Sequence, residues 1–119
     1  MKKSLLFIIG IIVFTISSCE YKYIEPLEIE ITDGVSFSEQ VEPIFQDKCV
    51  TCHSSTNPVL TTGNAYNSLI DGNYVNTSDP ESSTLYEQVN SGHPGGSNAL
   101  TATEMALILK WIEEGANNN

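Results

Sequence analysis

The chain has 119 residues, with five lysines and no arginine against fifteen carboxylates, a formal net charge of −10. That balance argues against a nucleic-acid partner and against adhesion to anionic lipid by charge. The length suits one domain with a modest core.

Residues 1–18 read as an address. Lys2 and Lys3 make a positive start, and Leu5 to Ile16 is an apolar run of twelve residues, shorter than a membrane span needs. Ile16-Ser17-Ser18-Cys19 resembles a bacterial lipobox, which implies cleavage before Cys19 and lipid on its thiol and new amino group. An ordinary signal peptide or an uncleaved anchor is the alternative. Several acyl chains would hold the protein at a membrane, where one chain is only marginal. Losing residues 1–18 leaves 101 residues with three lysines against fifteen carboxylates, a formal −12. Such a charge keeps a protein soluble or steers it toward a basic partner surface.

Residues 19–35 read as a lipidated start and an acidic linker. Glu28 and Glu30 alternate with Leu27, Ile29 and Ile31, the pattern of a short strand. With no strand to pair with, an extended tether is the expectation. The domain is expected to span 36–119. Ser36-Phe37-Ser38-Glu39 has the spacing of a capping box. Phe37, Val41, Ile44 and Phe45 then share one helical face. Pro43 either kinks this helix or stands in the first turn of one that begins near Glu42.

The helix runs into Cys49-Val50-Thr51-Cys52-His53. Cys-x-x-Cys-His is the attachment sequence of a c-type haem. Two thiols three positions apart on one helical turn can both reach the vinyl groups on one porphyrin edge, and the next residue offers an imidazole to the iron. Zinc would want four ligands, usually in two pairs; there is no second pair, and His93 alone would leave the shell one short or dependent on His53. A thioredoxin-like pair should follow a strand of a βαβ unit, and none is visible. A plain disulfide in an exported protein is the serious rival, but it leaves the adjacent histidine unexplained.

Ser54 to Pro58 is a polar loop, and Asn64 to Ile70 a short helix ended by Gly72. Asp79-Pro80 is expected to open another, with Asp79 as cap and an apolar face of Leu85, Tyr86 and Val89. Ser91 to Asn98 holds three glycines and a proline and is a loop. Thr101-Ala102-Thr103-Glu104 is a second capping box. It opens a last helix with Met105, Ile108, Leu109 and Ile112 on its apolar stripe and Trp111 beside them. Gly115 ends it, leaving Ala116 to Asn119 as a polar tail.

Over residues 36–117 these motifs resemble a small single-haem c-type cytochrome domain. The resemblance rests on the haem motif and on Leu100-Thr101-x-x-Glu104 with Trp111-Ile112-x-x-Gly115-Ala116. It implies an all-α fold of about four short helices around one haem, with the first and last helices crossing. It also implies haem attachment outside the cytoplasm, in accord with the export signal, and a sixth iron ligand from the loop before the last helix. A Met-Pro pair is common in that loop; here it reads His93-Pro94. Cys49, Cys52 and His53 are thus the expected haem-binding residues, and His53 and His93 the expected iron ligands. Met105, the one methionine besides Met1, is the alternative sixth ligand, though on a helical stripe it reads as core. An iron with no second protein ligand is the third possibility.

The expected function is electron transfer to and from a redox partner protein, by a lipoprotein of the bacterial cell envelope. No hydrolytic triad is visible, since His93 is the one imidazole left over. The rival functions are a haem enzyme subunit or gas sensor with an open iron position, and a haem-free interaction lipoprotein held by a disulfide.

Overall fold

The computed structural model describes residues 34–119, and the regular structure among them is entirely helical. The expected signal peptide, lipid cysteine Cys19 and tether to residue 33 lie outside the described residues. Five α-helices follow in order: α1 Glu42–Lys48, α2 Val50–His53, α3 Ala65–Asp71, α4 Thr84–Asn90 and α5 Ala102–Glu113. A π-helical turn, Phe37–Val41, leads into α1, and 3-10 turns at Pro80–Ser82 and Gly96–Asn98 precede α4 and α5. None of the described helices is long and apolar enough to cross a membrane.

Ser36 caps the entry as its position predicts, its Oγ accepting the Glu39 N–H at 3.3 Å. The return arm differs from the expected capping box. The Ser36 N–H donates to Gln40 Oε1 at 2.9 Å, not to Glu39. The turn is wound wide, with Glu42 N–H bonding Phe37 O, so the side chain four positions on faces back over the cap. Pro43 then stands in the first turn of α1, directly after the wide turn.

Phe37, Val41, Ile44 and Phe45 are all buried, as their spacing predicts. They meet Ile108, Trp111 and Ile112 of α5. Phe37 sits 5.1 Å from Trp111 and 5.4 Å edge-on from Tyr66, ring centre to ring centre. Trp111 is fully buried at the middle of this cluster rather than beside it, while Met105 and Leu109 are only half-buried. Phe37, Phe45 and Trp111 are the buried aromatics, and the rest of the core is aliphatic.

Three local expectations are corrected. Asp79 makes no side-chain cap; Pro80 starts a 3-10 turn, and α4 begins at Thr84 after the buried Ser83. Ser83 Oγ accepts the Asn76 N–H at 2.8 Å, which ties the incoming loop to the helix start. Residues 116–119 are not a free polar tail. Gly115 (φ +98°) and Ala116 (φ +49°) turn the chain back, Ala116 is buried, and the Trp111 indole N–H donates to Asn117 O at 2.9 Å. Val35, read as the end of the tether, is buried in the core, its N–H donating to Glu114 Oε2 at 2.7 Å.

Candidate cofactor site

α1 and α2 are separated by a single residue, Cys49. Its N–H closes α1 on Phe45 O at 2.9 Å, and its own carbonyl accepts the His53 N–H at 2.9 Å. The motif is therefore one short helical turn rigidly continued from the core-bound α1. Cys49 is half-buried against the core, Cys52 is exposed, and the two thiols are not bonded to one another. Burial pushes the Cys49 thiol up to about 11, with Cys52 and Glu104 adding to it. A thiol held protonated is a poor nucleophile, the opposite of what a thioredoxin-like pair requires.

After α2 the chain loops out and returns, with Leu60 N–H donating to His53 O at 2.8 Å. This return brings the Pro58 carbonyl to 2.9 Å from His53 Nδ1, with the Thr56 carbonyl at 3.3 Å. Two acceptors around Nδ1 assign the proton to that nitrogen, which leaves the lone pair on Nε2. A ligating histidine is ordinarily prepared in this way.

His93 lies forty residues on, in the loop after α4. Its backbone N–H donates to Gln88 O at 3.1 Å, which fixes where the loop departs. The His93 ring faces that of His53, with centroids 6.2 Å apart and planes at 83°. Two imidazoles on opposite sides of one metal ion, with bonds of about 2 Å, have ring centres roughly 6 Å apart. The observed centroid separation is close to that distance.

Both histidines and both cysteines line one cleft of about 200 Å³, open on one side. Its walls are Leu60, Leu69, Leu85 and Val89, with Pro58 and Pro94 near the two histidines in sequence. Thr84, Gln88, Asn98 and Lys48 supply its polar groups. Apolar walls with a few polar groups are the usual make-up of a cofactor site. Lys48 is bonded to Asp47 at 3.0 Å, which holds its ammonium above the usual range, and it faces Glu104 at 4.0 Å.

The sequence-predicted residues Cys49, Cys52, His53 and His93 are thus brought together. Met105 is not among the residues lining the cleft. Among the described residues, no group of three or more His, Cys, Asp or Glu side chains converges as a metal site of its own. Cys49, Cys52, His53 and His93 equal in number a zinc set of two cysteines and two histidines, but they do not converge on one point. A porphyrin brings four nitrogens to its iron and asks the protein for one or two more ligands, which the histidines can supply. Leu60, Leu69 and Tyr74 were not foreseen as cleft residues. Leu69 was legible only as an apolar helix position, and Leu60 and Tyr74 stand in irregular segments with no period to reveal them. Comparison of the chain with protein-family models, with curated proteins and with solved structures finds no match.

Proposed function

We propose that this chain is an electron carrier with one covalently attached c-type haem, exported and lipid-anchored through Cys19. The observation that carries the proposal is the His53–His93 pair. The two rings are 6.2 Å apart and nearly perpendicular, in the cleft that also exposes the two cysteines of a Cys-x-x-Cys-His sequence.

Each residue has a definite task in this reading. Cys49 and Cys52 would form the two thioether links. His53 would be the first iron ligand, its Nδ1–H anchored on Pro58 O so that Nε2 is the free donor. His93 would be the second. The leucine and valine walls would exclude water, which sets the potential together with the ligand pair. A haem held there by both histidines would supply a one-electron couple, the chemistry an electron carrier needs. Two imidazoles give a lower potential than one imidazole and a thioether. The acidic surface suits a basic redox partner, and the lipid would keep the domain at a membrane facing the periplasm or the exterior.

The test is expression in a host that attaches haem, followed by mass and optical spectra of the processed protein. The expected result is a mass exceeding polypeptide plus lipid by one haem, with a Soret band. A mass of polypeptide plus lipid alone, without Soret absorption, overturns the proposal. Slow, incomplete carbon monoxide binding by the reduced protein is expected. Fast, full binding would replace the carrier by an open-iron enzyme or sensor.

A further inference from the structure

We propose that the face around the cleft is an uncharged docking surface, and that the protein seated on it is basic outside a neutral contact patch of its own. This rests on the haem-bearing reading of the cleft, because the surface is where an electron would cross.

The charges of this chain are distributed unevenly. Residues 49–70 hold no Asp, Glu, Lys or Arg, and neither do 72–78, 82–86 or 88–103. Charged residues make up 17% of the chain, so a run as long as 49–70 would ordinarily carry about four. These four stretches supply every residue that lines the cleft except Lys48, and Lys48 is offset by Asp47 and Glu104. The segments that leave the cleft wall for solvent, such as Ser54–Asn57 and Ser91–Gly92, are exposed and made of Ser, Thr, Asn and Gly. The ten carboxylates of the described residues all lie outside the lining. The described cations are Lys48 and Lys110, and each faces two carboxylates.

This distribution separates two tasks. Carboxylates beyond the face attract a basic protein over a distance and raise its rate of encounter. Apart from Lys48, which is already paired with Asp47 and Glu104, the contact contains no charge that must lose its water, so it closes and reopens quickly. A second copy of this chain carries the same net sign and is repelled, which makes a basic partner the better occupant.

The test uses the haem-attached protein, its Soret band recorded first, and a small basic redox protein with lysines around its cofactor edge as probe. Amide NMR shifts on titration are expected to centre on residues 54–57, 72–76 and 91–96. Ser55→Glu and Ser55→Lys are each expected to weaken the complex about tenfold at salt high enough to screen steering. Asp71→Asn and Glu81→Gln should change only the salt dependence of association. A footprint centred on the carboxylates, or tighter binding by Ser55→Glu, overturns the neutral face while the haem reading stands. A protein without a Soret band overturns both.

Discussion

Tyr74 packs so closely over Gly72 that a Cβ at that glycine would stand 2.6 Å from Tyr74 Cδ2 and 2.8 Å from the Ser68 carbonyl oxygen. Gly72 has φ −80°, so it is required for space and not for backbone conformation. Tyr74 lines the cleft and also closes the end of α3, its N–H bonding Leu69 O at 3.0 Å. Gly72→Ala should therefore push the Tyr74 ring out of the wall and destabilise the domain by about 1–3 kcal/mol, read by urea unfolding. If the clash is with Tyr74, the penalty shrinks in a Tyr74→Ala background. A penalty unchanged by that second substitution assigns it to the Ser68 carbonyl instead.

The histidine pair makes a prediction that separates His93 from Met105. His93→Ala should open the sixth position: the reduced protein binds carbon monoxide rapidly and the Soret band shifts. Met105→Leu should leave the spectrum and the potential unchanged, because Met105 is half-buried on α5 and does not line the cleft. A methionine–iron charge-transfer band in the oxidised protein that survives His93→Ala would transfer the ligand role to Met105.

Much of this could be read in advance, for reasons that differ by element. Helix starts announce themselves through local chemistry. Thr101 and Glu104 form the reciprocal capping box their spacing predicts, with Glu104 N–H to Thr101 Oγ1 at 3.2 Å and Thr101 N–H to Glu104 Oε2 at 2.7 Å. Pro43 and the buried stripe of α1 follow equally from position and period. Asp79 misled because an Asp-Pro pair signals a turn start without saying how long the turn continues, and Ser83 made a second start four residues on. In the site, Cys49, Cys52 and His53 were legible because covalent attachment fixes their spacing. His93 was legible only through the family resemblance, by its place before the last helix, since forty residues of irregular and helical chain decide how near His53 it comes. Nor could sequence show that Pro58 would orient His53, because that bond depends on the path of a polar loop.

The closing segment should contribute to stability out of proportion to its polarity. Asn119 Oδ1 accepts the Phe37 N–H at 2.8 Å, and the Asn119 carbonyl accepts from Ser38 N–H at 2.9 Å and Ser38 Oγ at 2.8 Å. These are free N–H groups at the start of the entry turn, so Asn119 acts as a cap supplied from the far end of the described chain. Asn119→Ala should cost about 0.5–2 kcal/mol. Removing residues 117–119 should cost more, because Trp111 then loses the acceptor for its buried indole N–H. Urea midpoints and Trp111 fluorescence read both effects. A truncated protein as stable as the full chain would show that the segment merely rests on the surface.

Alkaline stability should distinguish the haem-free from the haem-attached protein through Cys49. Its thiol is raised from 9.0 to about 11, chiefly by burial. Below pH 9 the thiol is protonated in both folded and unfolded chains, and its contribution is fully present. Between about pH 9 and 11 the unfolded chain releases the proton while the folded chain keeps it, so unfolding gains. Stability should therefore fall across that window and level off above it. The loss should be on the order of 1 kcal/mol, a figure kept small because the site is half-open to water. Cys49→Ala removes the titrating group, so the difference between it and the haem-free parent isolates this contribution. A thioether carries no such proton, and the haem-attached protein should match the variant in slope. A haem-free parent with the same alkaline slope as Cys49→Ala would mean that the thiol is hydrated in the folded chain and that the cleft wall beside it is open.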